Sequence, residues 1–226
     1  LDLDELRAAV TDRTRLLLIN TPHNPTGTVL TRAELTAIAE LAVERNLLVV
    51  TDEVYEHLVF DDAEHIPLAT LPGMRERTVT ISSAGKTFSF TGWKVGWLTA
   101  PPELVAAVRS AKQFLTYVSS GPFQYAIAEA LRLPDSYFDG FRADLLRKRD
   151  LLADGLRAAG FEVYLPRAPT SSPPTSPPSA RRTPTPSAAP SPNAPASSPS
   201  PTPSSTTTTK PAAPRSASPS ARRTRS

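Results

Sequence analysis

Short apolar runs separated by amphipathic stretches occupy the first 160 positions of the chain. The run at 16–19 is continuously apolar, which is typical of a strand covered on both faces. Three further strands are predicted at 47–50, 78–82 and 95–98. Each run is bounded by residues that favour turns or by a helical pattern, so the sequence predicts four short strands.

The stretches between and after these runs predict helices. Thr31 is a suitable N-cap, and Glu34 three residues later completes a capping box. Apolar side chains then recur at helical spacing and predict a face that packs on a sheet: Leu35, Ile38, Ala39 and Ala42. Further helices are predicted over 102–115, 123–131 and 135–159, the last ended by Gly160.

Strands that alternate with helices favour an α/β fold with a mostly parallel sheet. Polar residues follow three of the predicted strands, at 20–24, 52–55 and 82–86. Ligands of such sheets bind beyond the carboxyl ends of the strands. We therefore expect these three clusters to meet at one edge of the sheet and to form a binding site.

The composition changes abruptly near residue 165. Of the 25 prolines, 17 lie at or after Pro166, and no Asp or Glu occurs after Glu162. Residues 1–165 hold 17 Lys and Arg against 22 Asp and Glu, a net −5, whereas the remainder holds eight basic groups and no acidic one. A tail without large apolar side chains cannot offset its ordering entropy, so residues 168–226 are expected to be disordered.

Composition, charge and the motifs that are lacking argue against several function classes. The overall pI of 9.4 averages two unlike segments, so it does not indicate nucleic-acid binding. The chain has no cysteine, its three histidines lack ligand spacing, and we expect no metal site. Neither a nucleotide-binding glycine loop nor an apolar stretch of membrane-spanning length is found. The first residues resemble the interior of a longer chain, and we expect a cytoplasmic location and no membrane partner.

Each polar cluster alone also has an ordinary interpretation. Asp52 and Glu53 would suit a solvated turn, and Lys86 would suit the protein surface. Ser83 and Lys86 formally match the S-x-x-K nucleophile motif, but its partner motifs are lacking. Only the order of the three clusters along the chain distinguishes them from an ordinary turn or an ordinary surface lysine.

Taken in order, the clusters read N-P-T-G, D-E-V-Y and S-x-x-K-x-F-x-x-x-G-x-K-x-G. This set resembles the class I/II aminotransferases, which are fold type I pyridoxal-phosphate enzymes. The phrase KTFSFTGWKVGW at 86–97 is similar to the kynurenine and N-succinyldiaminopimelate aminotransferase branch. The resemblance implies an incomplete three-layer α/β large domain over 1–160, the start of a small domain at 161–167, and the tail from 168.

The resemblance also implies a role for each motif residue around pyridoxal 5'-phosphate. Lys86 would bind the cofactor covalently and then carry a proton, as a catalytic lysine. Asp52 would face the pyridine nitrogen, and Asn24 and Tyr55 would donate hydrogen bonds to the ring 3-oxygen. Ser83 and Lys94 would hold the phosphate. Lys94 stands where many relatives have arginine, so it would act as a point charge.

The implied activity moves an amino group between an amino acid and a 2-oxo acid, in a parent protein that is a homodimer. A carbon–sulfur lyase or synthase on the same scaffold, or a non-catalytic cofactor-binding regulatory domain, would use the same motifs. The family's phosphate loop, its ring-stacking aromatic residue and its carboxylate-binding arginine are not found in the sequence. We therefore expect the 226-residue chain to be an inactive fragment or nearly so.

The amino-acid composition of the tail suggests a specific origin. From Ala168 onward it consists of Ala, Pro, Ser, Thr and Arg, with Asn193 and Lys210 as exceptions. When a GC-rich gene is translated in a reading frame that starts one base later, its codons produce mainly these amino acids. Relatives typically carry Gly-Thr-Tyr-Phe near this point, and the codons GGC ACC TAC TTC would then give the Ala-Pro-Thr-Ser found at 168–171. The hypothesis is a frameshift near Arg167, and the alternative is a natural Pro/Ser/Thr-rich segment.

Overall fold

The computed structural model describes residues 1–118 and 120–170. Its strands are β1 (Leu16–Asn20), β2 (Leu48–Asp52), β3 (Thr78–Ser83) and β4 (Gly96–Thr99). Its helices are α1 (Leu3–Ala9), α2 (Arg32–Glu44), α3 (Ala84–Thr87), α4 (Pro102–Leu115), α5 (Gly121–Ala130) and α6 (Asp135–Ala158). Short 3₁₀ turns cover Leu68–Thr70 and Thr91–Trp93. The four predicted strands and four predicted helices are all found, with ends shifted by one or two residues.

The strands form one sheet in the order β1-β2-β3-β4. The first three are parallel, and β4 runs antiparallel to β3. The prediction of a mostly parallel α/β sheet is therefore confirmed. The antiparallel β4 brings its beginning, not its end, to the edge where β1, β2 and β3 finish.

Helix α2 covers one face of the sheet. Its side chains Leu35, Ile38 and Ala42 are at most 1% exposed, and they pack in one cluster with Leu17 and Val49 of the strands. Full burial of a leucine or isoleucine side chain contributes about 1.5–3 kcal/mol, so this layer is a main source of stability. The predicted helix face is confirmed.

The predicted capping box at the start of α2 is also present. The Thr31 hydroxyl accepts a hydrogen bond from the Glu34 amide at 3.3 Å, and the Glu34 carboxylate accepts one from the Thr31 amide at 2.7 Å. Two amides that the first helical turn would leave unpaired are thus satisfied.

The prediction that β1 is covered on both faces holds for one face only. Leu17 is 9% exposed against α2, whereas Leu16 and Leu18 on the other face are 47% and 72% exposed. Side chains of a strand alternate between faces, and among the described residues only the α2 side of β1 is covered. A continuous apolar run does not by itself reveal which face finds a partner.

The chain after α6 returns to the edge of the sheet. Gly160, with φ of 85°, follows the helix where the sequence predicted its end. Phe60 donates its amide hydrogen to the Arg167 carbonyl at 2.8 Å, and the Arg167 amide donates to the Gly27 carbonyl at 2.9 Å. Ala168 is fully buried.

The expected domain boundaries at 160 and 167 stay predictions. The expected tail begins with three described residues, Ala168 to Thr170, and the Thr170 hydroxyl donates to the Pro25 carbonyl. The remainder of the expected tail, 171–226, lies outside the described residues. Among the helices that the structure describes, none is long and apolar enough to cross a membrane.

Candidate functional site

The three polar clusters leave the sheet side by side. Asn20 is paired in register with Asp52, and Asp52 with Ile81. Because β1, β2 and β3 are parallel, the segments 20–24, 52–55 and 82–86 all start from the same edge. The expected convergence of the clusters follows from this register.

The first segment places Asn24 against the second. The Asn24 side-chain amide donates a hydrogen bond to the Tyr55 hydroxyl, with 3.2 Å between nitrogen and oxygen. The loop that carries Asn24 is closed by a bond from the Gly27 amide to the His23 carbonyl at 2.7 Å, and it contains two cis peptide bonds, Thr21–Pro22 and Asn24–Pro25.

Gly27 is required where this loop meets the chain after α6. Its φ is +69°, and a Cβ there would lie 2.2 Å from the Cβ of Pro166. Only a residue without a side chain allows both the left-handed backbone and this close approach.

The second segment begins with Asp52, the last residue of β2. Its carboxylate is half-buried and accepts a hydrogen bond from the Val54 amide at 3.3 Å. The turn continues to Tyr55, which is 8% exposed and is fixed by a bond from the Leu58 amide to its carbonyl at 2.8 Å. A carboxylate and a phenol are therefore presented from one ordered turn.

Lys86 lies in the third segment, on the single helical turn α3. Ser83 caps this turn, because its hydroxyl accepts a hydrogen bond from the Gly85 amide at 3.2 Å. The Lys86 amino nitrogen lies 5.8 Å from the centroid of the Tyr55 ring. The structure thus brings Asn24, Tyr55 and Lys86 into one group.

Lys94 lies at the same edge, just before β4 begins. It has φ of 54° after the turn Thr91–Trp93 and stands two residues before Gly96, which pairs with Ser83. The Ala84 amide donates to the Val95 carbonyl at 3.1 Å, so the backbones that carry Ser83 and Lys94 are bonded to each other. The Lys94 side chain is exposed. An ammonium and a hydroxyl on adjacent backbones suit an anion such as phosphate.

Glu53 is a buried acid beside the site, and the sequence pattern did not indicate a role for it. Glu53 is 1% exposed, and its carboxylate lies 2.8 Å from the His65 ring nitrogen Nε2. Strand alternation is the signal that was available, since it places Glu53 on the buried face with Val49 and Thr51. Its partner, twelve residues away, could not be inferred.

Glu53, Glu56 and His65 are also the described residues that come closest to a metal site, with one ligand atom of each within 4.8 Å of the others. Both carboxylates are already engaged, Glu53 with His65 and Glu56 with the Ser82 hydroxyl at 2.7 Å. The cluster carries no argument for a metal ion, and the absence of a metal site stays a prediction.

The donor set fits the chemical groups of pyridoxal phosphate. The ring needs a carboxylate for its nitrogen, hydrogen-bond donors for its phenolic oxygen, an amine for its aldehyde, and a hydroxyl with a cation for its phosphate. Asp52, the Asn24–Tyr55 pair, Lys86, and Ser83 with Lys94 carry chemical groups of these kinds and could supply them at one edge of the sheet.

Comparison with protein families gives a match over most of the chain. Residues 1–171 match the family described as aminotransferase class I and II. A probable N-succinyldiaminopimelate aminotransferase of Mycobacterium tuberculosis is 60% identical over 164 residues, which cover 73% of this chain and 41% of that protein. A kynurenine–oxoglutarate transaminase of Dictyostelium discoideum is 45% identical over 168 residues, covering 73% of this chain and 39% of that protein.

Comparison with solved structures also finds aminotransferases. The N-succinyldiaminopimelate aminotransferase from Mycobacterium tuberculosis superimposes with a TM-score of 0.73 at 58% identity, covering 75% of this chain and 44% of that one. An aromatic aminotransferase from Pyrococcus horikoshii gives a TM-score of 0.69 at 40% identity, covering 75% and 46%. The chain therefore spans about two fifths of the length of the curated relatives it matches.

Proposed function

Since the chain belongs to the class I and II aminotransferase family, whose members use pyridoxal phosphate, we propose that it binds this cofactor through Lys86. The observation that carries the proposal is the grouping of Asn24, Tyr55 and Lys86 at the carboxyl edge of a parallel sheet. The activity we propose for the parent protein is transfer of an amino group between an amino acid and a 2-oxo acid.

When bound, pyridoxal phosphate supplies an electron sink for the bonds of the substrate's α-carbon. Lys86 would hold the cofactor through its amino nitrogen, and the same amine, when free, would move the proton of the substrate's α-carbon. Its position beside the Tyr55 ring supports this role.

Asp52 and the Asn24–Tyr55 pair set the charge of the ring. The Asp52 carboxylate would keep a proton on the pyridine nitrogen, because an adjacent negative charge favours the protonated form. Tyr55 accepts a hydrogen bond from Asn24, so its own hydroxyl proton is left to donate to the ring 3-oxygen. The carboxylate and the phenol thus act at two different atoms of the ring.

Ser83 and Lys94 hold the phosphate in this proposal. The Ser83 hydroxyl, which donates to the Val95 carbonyl at 3.4 Å in this structure, would turn to donate to the phosphate, and the exposed Lys94 ammonium would supply a positive charge without the bidentate geometry of an arginine. The pairing of Ser83 with Gly96 and the hydrogen bond from the Ala84 amide to the Val95 carbonyl keep the backbones that carry the two groups next to each other.

Transfer is favoured over carbon–sulfur cleavage because the relatives named above are aminotransferases. We propose an amino acid and a 2-oxo acid as substrates, a cytoplasmic location, and a homodimeric parent protein as in the family pattern. We also propose that turnover by this chain alone is far below that of its longer relatives, since it spans about two fifths of their length.

Titration with pyridoxal phosphate tests the proposal. We expect the chain to develop the visible absorbance of a lysine-bound cofactor, and Lys86→Ala to abolish it. Lys148→Ala is the matched control, because Lys148 is exposed on α6 and pairs with Asp144 away from the site. An equal band in both variants, or no band in the unmodified chain, would refute the assignment of Lys86.

A further inference from the structure

Glu53, which lies between Asp52 and Tyr55 in the turn 52–55, forms a buried pair with His65. Glu53 Oε2 is 2.8 Å from His65 Nε2, and Glu53 Oε1 accepts a hydrogen bond from the Leu68 amide at 3.4 Å. The exposed fractions of the two side chains are 1% and 8%. A buried carboxylate is costly without such partners, so these contacts define where Glu53 stays.

The His65 ring is held through one nitrogen only. Its Nδ1 is buried and has no hydrogen-bond partner among the described residues. The Glu53 carboxylate is therefore the group that orients the ring, and the ring in turn orients the carboxylate. Glu56 is a further titratable group at this place, with a carboxylate oxygen within 4.8 Å of the ligand atoms of Glu53 and His65, and His57 Nε2 lies 3.9 Å from Glu56 Oε1.

Hydrogen bonds also connect this turn and the residue after it, Glu56, to β3. The Glu53 amide donates to the Ile81 carbonyl at 2.9 Å, and the Ser82 hydroxyl donates to Glu56 Oε1 at 2.7 Å. Asp52 has one bond within the turn, from the Val54 amide at 3.3 Å. The direction of its carboxylate thus depends on the residues that follow it, and Glu53 is the first of them.

We propose that Glu53 and His65 are positioning residues, whose bond fixes the turn 52–55 so that the Asp52 carboxylate faces the pyridine nitrogen of the cofactor. The proposal rests on the proposed function. Neither residue touches the cofactor; both act through Asp52.

A misplaced Asp52 has a defined spectroscopic consequence. With Asp52 in place the ring nitrogen stays protonated, and this positive charge disfavours a second one on the lysine nitrogen bonded to the cofactor. Loss of the Asp52 contact therefore raises the pH at which that lysine nitrogen gives up its proton. This pH is measured from the absorbance of the lysine-bound cofactor.

The experiment uses the full 226-residue chain and compares His65→Ala with the double variant Glu53→Gln/His65→Ala. In both we expect about tenfold weaker cofactor binding and an upward shift of the absorbance midpoint by about one pH unit. The double variant carries no unpaired buried charge, so it keeps the test available if His65→Ala fails to fold. Glu53→Gln alone keeps one oxygen that accepts from His65 and loses only the longer bond from the Leu68 amide, and we expect it to bind within about twofold of the unmodified chain.

Two controls separate positioning from stability. Glu64→Gln removes a neighbouring but exposed carboxylate and should change nothing. In an Asp52→Asn background, the His65 substitution should add no further midpoint shift, because its effect passes through Asp52. A purely structural role would lower the unfolding temperature and leave the midpoint of the folded protein unchanged.

The possible failures are distinguishable. If the unmodified chain shows a Lys86-dependent band and the His65 variants match its affinity and midpoint, the positioning role is wrong and the proposed function stands. If the unmodified chain shows no such band, the proposed function and this inference both fall.

Discussion

Tyr55 connects the groups of the site at the scale of single residues. Its hydroxyl accepts from Asn24, its ring lies 5.8 Å from the Lys86 nitrogen, and its side chain is 8% exposed. Because the phenol is buried and fixed, a hydrogen bond that it donates to the cofactor loses little entropy when it forms.

Tyr55→Phe removes this donor and keeps the ring. We expect cofactor binding to weaken about tenfold, as for loss of one hydrogen bond to a charged oxygen. Tyr125→Phe is the control, since Tyr125 is 81% exposed on α5. Equal affinities of the two variants, measured by absorbance titration, would show that Tyr55 does not contact the ring oxygen.

Lys94 can be tested by changing the ligand as well as the protein. Lys94→Ala should weaken binding of pyridoxal phosphate by about tenfold, because one charge-assisted contact is lost. Binding of pyridoxal, which has no phosphate, should stay unchanged. A similar loss for both ligands would place Lys94 away from the phosphate.

The motif residues were predictable from the sequence, whereas the contact between Glu53 and His65 was not. Lys86, Tyr55 and Asn24 lie in ordered motifs that follow predicted strands, and chain order alone places them at one edge. The contact of Glu53 with His65 depends on how the loop before the Leu68–Thr70 turn folds back on the sheet. No local pattern encodes that packing.

Helix α2 shows how a single element depends on its cap. The hydrogen bond from the Thr31 amide, followed by contacts with the chain's terminal amine and the Thr31 hydroxyl, lowers the pKa of Glu34 from 4.5 to about 2. A carboxyl group with a lowered pKa stabilises the folded state above its ordinary pKa. That stabilisation is lost as the pH falls from about 4.5 towards 2.

Glu34→Gln keeps a capping oxygen and removes the charge. We expect the unmodified chain to be more stable than this variant by about 1 kcal/mol near neutral pH, with the difference shrinking below about pH 4.5 and vanishing only as the pH approaches about 2. Denaturant unfolding at several pH values measures it, and Glu40→Gln on the exposed side of α2 serves as the control. A difference that persists unchanged in acid would contradict the assigned role of Glu34.

The direction of β4 and the presence of α1 illustrate what the pattern of elements leaves open. Between Ser83 and Gly96 the chain holds only the four-residue α3 and a 3₁₀ turn, with no long crossover helix, and β4 is antiparallel. Helix α1 has seven residues, two turns at most, so its apolar positions are too few to show a period. Asp2, whose side chain accepts from the amides of Asp4 and Glu5, was the available signal.

At the scale of the whole molecule, the composition divides the chain more sharply than any structural element does. The family match ends at residue 171, close to the point where acidic, aromatic and glycine residues cease. Ala168 is still buried and the Thr170 hydroxyl still donates to the Pro25 carbonyl in the loop that carries Asn24, so the chain packs on the sheet edge up to this point. We propose that the sequence from residue 168 is translated from a shifted frame.

The nucleotide sequence tests this proposal. In the shifted frame, the first two bases of each codon are the second and third bases of a codon in the original frame. A serine codon that begins with TC in the tail therefore corresponds to an original codon that ends in TC, and such codons encode Phe, Leu, Ile or Val. The other frame should therefore encode an apolar residue wherever the tail has such a serine, and it should continue as an aminotransferase sequence. A downstream frame without that sequence would establish the Pro/Ser/Thr-rich segment as the genuine product.

The central claim is that Lys86 is the residue that binds pyridoxal phosphate. Reduction of the mixture of chain and cofactor with borohydride makes the bond permanent, and peptide mass spectrometry locates it. We predict that the added mass lies on the peptide containing Lys86 and not on those containing Lys94, Lys112 or Lys148. A label spread over the exposed lysines, or absent from Lys86, would contradict the claim.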